Sequence, residues 1–379
     1  MVNNIYFSFN DYERVLMIFK QCDVSFFLQN LDNLMVIELD CSKYLIEIPD
    51  LSKAPKLEKV SLLNCESLCQ LHPSIFSAPK LKSLYLKGCK KIEKMKTNIH
   101  SKSLETLDLS ECSSLVEFSV TSDAMTTLFL RGTAIHELSS SIWRNRKLNH
   151  LFLSECKKLS IVGKKLLNDP AAVPLQLLDL SGCTQIDTLN LWYILDGLQS
   201  LKDLNLRECC NLETLPNNIQ NNSMLVTLNL DECTKLKSQP KLSVSLQELT
   251  AFNCIYLNTD SILRSMLENV LQRYLTNSED IKKYLYELPF LPGANVLSEF
   301  DFHTIEASIV IPPIPKSGLY CFVFCVILSE GLDVKYNSVR CTVYEYKKEV
   351  YQCYVGGRRG ELISDHVVLQ CWCDNYKLF

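Results

Sequence analysis

Residues 201–209 read Leu201-Lys202-Asp203-Leu204-Asn205-Leu206-Arg207-Glu208-Cys209. Aliphatic residues at positions one, four and six, with cysteine at nine, form a phrase that returns along the chain. Leu57-Val60-Leu62-Cys65 and Leu104-Leu107-Leu109-Cys112 are clean copies. The copies open at Leu34, Leu57, Leu81, Leu104, Met125, Leu148, Leu175, Leu201, Leu225 and Leu246, so the spacings run 23, 24, 23, 21, 23, 27, 26, 24 and 21 residues. In an extended segment successive side chains face opposite ways, so positions four and six point inward while five and seven point outward.

A period in the low twenties with this phrase is the signature of a leucine-rich repeat. The predicted fold is an α/β solenoid of about ten repeats, residues 34–257, in which each repeat leans on its neighbours. Further apolar residues at positions twelve and fifteen, such as Leu68 and Leu71 or Leu212 and Leu215, close the convex side. A solenoid of this kind is above all a binding surface, so the expected function is recognition and not catalysis.

Position nine holds Cys65, Cys89, Cys112, Cys156, Cys183, Cys209, Cys233 and Cys254, with Ser42 and Thr133 in the other two repeats. Residues in one phase stack in a line, and each of these small side chains can donate to a backbone carbonyl where the chain leaves the strand. Such a thiol ladder belongs in a reducing compartment. The spacing offers no Cys-x-x-Cys pair and no ligand histidine beside it, so no metal and no cofactor is expected.

The two outward positions form columns on the concave sheet. Column five runs Glu38, Ser61, Tyr85, Asp108, Phe129, Phe152, Asp179, Asn205, Asn229 and Thr250, and column seven runs Asp40, Leu63, Lys87, Ser110, Arg131, Ser154, Ser181, Arg207, Asp231 and Phe252. Tyr85, Phe129 and Phe152 with Lys87, Arg131 and Arg207 have the composition of a protein-binding hot spot and are the candidate ligand-binding residues. The alternative is that the aromatics pack on each other or on another part of the same chain. The six histidines are scattered, with no nucleophile or carboxylate at a spacing that proposes a catalytic or metal site.

The 379 residues carry a formal net charge of −4, which gives no reason to expect nucleic acid as the main partner. A lysine group from Lys80 to Lys96 reads as a solvated face over two coils. Residues 1–13 have no secretory pattern, and the longest apolar run, Leu319 to Leu328, is about half of a membrane span. The expected location is the cytoplasm, or the nucleus.

Residues 1–33 read as a cap or the remnant of a repeat. Residues 258–298 read as a helical cap and linker: Ser261 to Leu275 has helical apolar spacing, and Pro289, Pro292 and Gly293 then punctuate the chain. Residues 299–379 turn to strand formers at Ile309–Ile311, Tyr320–Leu328, Val339–Tyr346, Glu349–Val355 and His366–Cys373, the pattern of a small jelly-roll-like β-sandwich.

Wording such as LMVIELDCSKYLIEIPDLSKAPKLEKVSLLNCESL and LKDLNLRECCNLETLPNNI resembles the repeats of plant intracellular immune receptors, in the branch that begins with a Toll/interleukin-1-receptor-type domain. Leu291-Pro292-Gly293, TIEASIVI, GLYCFVFCVILSEG and GELISDHVVL resemble the post-repeat jelly-roll domain of that branch. The resemblance covers roughly Leu31 to Val368. It implies recognition of pathogen effectors by the concave face and the post-repeat domain, with a host protein or a full-length receptor as further partners. It departs from the family at Ser298-Glu299-Phe300, where relatives carry an acidic–Trp–Phe triplet. These residues contain no G-x-x-x-x-G-K-[ST] loop, so the nucleotide chemistry of complete receptors is not expected of them. A second reading is the substrate adaptor of a ubiquitin ligase of the F-box type, whose cysteine-containing repeats of about 26 residues Leu175 to Leu195 resembles most.

Overall fold

The computed structural model describes residues 32–160 (49 excepted), 173–260 (241 and 244 excepted), 262 and 264, together with the strands Ile5–Ser8, Ile161–Val162, Glu287–Pro292, Tyr320–Leu328, Ser338–Glu345, Lys348–Gly356 and His366–Asp374. Ten strands, one to each copy of the phrase, lie side by side: Leu34–Glu38, Lys59–Ser61, Ser83–Tyr85, Thr106–Asp108, Thr127–Phe129, His150–Phe152, Leu177–Asp179, Asp203–Asn205, Thr227–Asn229 and Glu248–Thr250. All are parallel, and position five pairs with position five throughout, from Glu38↔Ser61 to Asn229↔Thr250.

The leucines of the phrase form one continuous core. Leu57, Val60, Leu62, Leu104, Leu107, Leu109, Leu225, Leu228 and Leu230 are at most 1% exposed. Each such side chain contributes roughly 1.5–3 kcal/mol, and its contacts are largely with the same positions one repeat away.

Position eight closes the turn after each strand. Cys41, Asn64, Gly88, Glu111, Gly132, Glu155, Gly182, Glu208, Glu232 and Asn253 all have φ between 56° and 77°. The left-handed residue reverses the chain so that the N–H of position nine reaches the carbonyl of position six, as in Cys112 N to Leu109 O at 3.2 Å. The position-eight N–H itself donates to position seven of the following repeat, as in Asn64 N to Lys87 O at 2.7 Å.

The same position-six carbonyl then accepts the thiol of the following repeat. Cys65 Sγ donates to Leu39 O, Cys89 to Leu62 O, Cys112 to Leu86 O, Cys156 to Leu130 O and Cys183 to Leu153 O. Cys209, Cys233 and Cys254 continue the series to Leu180 O, Leu206 O and Leu230 O. These eight sulfurs are fully buried. Burial pushes the Cys112 thiol up to about 12 and the Cys156 thiol up to about 11, because a thiolate there would lose its hydration. Thr133 departs from the pattern, bonding its own repeat's Leu130 O at 2.8 Å and lying 3.3 Å from Cys156 Sγ.

Among the described residues the α part of the α/β class is small. On the convex side the described residues return mostly through two-residue strands, such as Glu47–Ile48 beside Gln70–Leu71, and through 3-10 turns at Pro73–Ser77, Ser140–Arg144 and Asn217–Asn221. One α-helix stands among them, Thr188–Leu195, with Asp187 capping Asn190 N at 2.8 Å. The reason is length. A repeat of 21–24 residues leaves too little chain for a helix behind the strand, whereas the repeat from Leu175 to Leu201 has 26, and residues 163–172 of the 27-residue repeat from Leu148 lie outside the described residues.

At its ends the sheet goes on. Ile5–Ser8 pairs in parallel with Leu34–Glu38. Glu287–Pro292 adds to Glu248–Thr250 in parallel, then pairs antiparallel with His366–Asp374, which pairs with Tyr320–Leu328. Ser338–Glu345 and Lys348–Gly356 form an antiparallel pair of their own. Asp260, Ile262 and Arg264 are helical, and the other residues of the expected helix to Leu275, Ile309–Ile311 and the Ser298-Glu299-Phe300 triplet lie outside the described residues. No helix among the described residues is long and apolar enough to cross a membrane.

Candidate protein-binding surface

Six of the ten residues of column five, those of repeats four to nine, sort into two kinds. Asp108, Asp179, Asn205 and Asn229 each turn Oδ1 onto the N–H two residues ahead, accepting from Ser110, Ser181, Arg207 and Asp231 at 2.8–3.1 Å. Those side chains hold the turn together. Phe129 and Phe152 occupy the same place in repeats five and six and have no such acceptor. Their rings stack instead, with centroids 4.6 Å apart and planes 8° from parallel. Both remain half-buried on the concave face. A cross-strand aromatic pair stabilises by about 0.5–1.5 kcal/mol beyond its area, so the stack offsets part of the lost capping.

The six residues singled out from the sequence do not form one cluster. Phe129 and Phe152 meet, but Asp108 stands between Tyr85 and Phe129, since Tyr85 pairs with Asp108 and Asp108 with Phe129. Tyr85 belongs to a separate group, with Lys59 Nζ 6.0 Å from its ring centroid and 2.7 Å from Glu38 Oε1. Lys87 pairs with Glu111 at 3.3 Å, and Arg207 Nε donates to Glu208 Oε1 at 2.8 Å. The Arg131 side chain, exposed two residues from Phe129, makes no hydrogen bond or ion pair with the described residues, while its carbonyl accepts the Glu111 N–H at 2.7 Å. Arg207 lies two strands beyond Phe152, past Asp179.

Column seven is less outward than its alternation implies. Ser110, Ser154, Asp231 and Phe252 are buried, because position seven lies past the strand, where the chain is already turning under. The lysine face is exposed as read, but it is paired: Lys90 with Glu66, and both Lys94 and Lys96 with Glu117. Solvent-accessible pairs of this kind add little stability. His150, at position three, is half-buried two residues from Phe152. No group of three or more metal-ligating side chains occurs among the described residues.

Comparison with known proteins shows similarity to plant defence proteins. The chain is 35% identical over 271 residues to the protein SUPPRESSOR OF npr1-1, CONSTITUTIVE 1 of Arabidopsis thaliana, covering 66% of this chain and 18% of that protein. It is 34% identical over 403 residues to disease resistance protein RPS4 of the same plant, covering 88% and 32%, and 28% identical over 341 residues to disease resistance protein RML1A, covering 90% and 31%. The chain thus spans from 18% to 32% of the length of these relatives. No family model matches it. Among solved structures, the leucine-rich repeat domain of the type III effector XCV3220 (XopL) aligns at 26% identity with a TM-score of 0.39, over 58% of this chain and 71% of that one.

Proposed function

Because the chain belongs with the plant disease resistance proteins, through their leucine-rich-repeat region, we propose that it is a non-catalytic recognition module in defence. Its ligand is a protein, a pathogen effector or a host protein, engaged on the concave face in the cytoplasm or nucleus. A full-length receptor is its further partner.

One observation carries this reading. In repeats five and six stacked, half-buried phenylalanines stand where the flanking repeats four, seven, eight and nine carry a turn-capping Asp or Asn. A side chain that gives up an internal role at some cost to the fold, while keeping aromatic surface open, is what an interface anchor requires. The ten strands in one register supply the rigid frame, and we read 299–379 as a jelly-roll-like sandwich completing the surface. No observation favours the ubiquitin-ligase adaptor over this reading.

The test is capture of plant or pathogen proteins by the purified chain, wild type against F129A/F152A and against L189A/W192A on the convex helix. Loss of specific capture with the concave pair alone supports the reading. Equal capture by all three refutes it.

A further inference from the structure

Resting on that reading of the concave face, we infer that the Phe129–Phe152 pair docks a cationic segment of the partner, and that arginine is the side chain it fits. Four consecutive strands place Asp108, Phe129, Phe152 and Asp179 opposite one another in one register, an acid–ring–ring–acid row. The rings use one face of each on the other. What remains for a ligand is the outer face of each ring, the edges, and the carboxylate on the strand beyond, roughly 4.8 Å further on.

Each carboxylate spends Oδ1 on a backbone N–H, Asp108 on Ser110 and Asp179 on Ser181, which fixes the group beside the ring. Oδ2 of both is without a hydrogen bond among the described residues. A planar guanidinium laid against the outer face of Phe129 gains a cation–π contact there and a hydrogen bond to Asp108. A second on Phe152 does the same with Asp179.

The surrounding charge selects this occupant. Through the strands and turns of repeats four to seven stand Glu105, Asp108, Glu111, Glu155 and Asp179, against Arg131 and, in the turn of repeat six, Lys157 and Lys158. Glu111 and Glu155 are met by Lys87 and Lys157, each at 3.3 Å and largely exposed, which screens them only in part. An acidic ligand would meet this field unfavourably, and a purely apolar one would leave the two carboxylates partly desolvated without a partner.

The experiment uses the full chain and labelled Gly/Ser peptides carrying paired arginines, lysines, aspartates or phenylalanines, with affinity read by fluorescence anisotropy at two salt concentrations. The expected order is arginine, then lysine, then the others, with arginine binding weakened by salt. D108N/D179N keeps the Oδ1 acceptors, and F129L/F152L keeps apolar bulk but removes the ring quadrupole. Each is expected to weaken arginine binding by roughly fivefold or more. Circular dichroism melts confirm that both variants are folded. No binding, a preference for aspartate or phenylalanine, or arginine binding unchanged in both variants overturns the inference. If F129A/F152A still abolishes protein capture while arginine shows no preference, only the cationic ligand fails and the concave recognition surface stands.

Discussion

The thiol of Cys112 donates to the carbonyl of Leu86, 3.2 Å away in the preceding repeat, and the same oxygen accepts the N–H of Cys89 at 3.1 Å. The turn of one repeat is thereby tied to the next through a single atom. Cys112→Ala removes one of the two donors and is expected to cost about 1 kcal/mol, with Cys112→Ser costing less because a hydroxyl still donates. Urea unfolding of the two variants measures the difference. Equal losses would show that packing volume, and not the hydrogen bond, keeps cysteine there.

Alkali is expected to loosen the ladder. An unfolded thiol titrates near 8.5, whereas burial holds Cys156 to about 11 and Cys112 to about 12. Their contribution is complete below about pH 8.5. It falls as the pH rises from there through the folded values, because the unfolded chain releases protons that the fold retains, by up to about 1.4 kcal/mol per pH unit for each thiol. Melting temperatures between pH 7.5 and 10 measure the slope, which should be shallower in C112A/C156A. In the native state exposed Cys69 should react with a thiol reagent well before any ladder residue.

Gly88→Ala is expected to destabilise by about 1–3 kcal/mol. Gly88 has φ +77°, and a Cβ there would lie 2.2 Å from Asn64 Oδ1 of the preceding repeat. Adding Asn64→Gly should recover the steric part and leave the backbone part. Chemical denaturation of the two variants separates them, and an unchanged midpoint for G88A would contradict the left-handed turn.

Leu206 lies at 0% exposure between repeats seven and nine, as does Leu109 between repeats three and five. Leu206→Asp or Leu109→Asp buries a carboxylate with no partner, a change worth several kcal/mol, and should abolish soluble expression. A normal melting curve for either variant would mean the inward register is wrong.

Much of this was legible in the sequence for a physical reason. Leucines at one, four and six must share a core whatever surrounds them, so Leu201, Leu204 and Leu206 locate the strand and its facing. Cysteine at nine stands out because eight repeats use the same small donor. Position eight escaped notice because it holds Cys41, Asn64, Gly88 and Glu111 in turn, and its common feature is a backbone angle, not a side-chain type. The grouping of site residues was legible only in part. Column order places Asp108 between Tyr85 and Phe129, but the pairing of Lys87 with Glu111 and of Arg207 with Glu208 depends on where long side chains lie. The short convex returns followed from repeat length, which the general α/β label overlooked.

The account's central claim is that ligand is taken on the concave face at Phe129 and Phe152. The most direct measurement is a photo-cross-linking scan, with a benzophenone side chain placed in turn at Thr127, His150 and Leu177 on the concave strands and at Tyr44, Leu189 and Met224, exposed side chains away from those strands. Cross-links to one captured protein from the first three positions, lost in the F129A/F152A background, are the expected result. Cross-links to that protein from Tyr44, Leu189 or Met224 alone would contradict it.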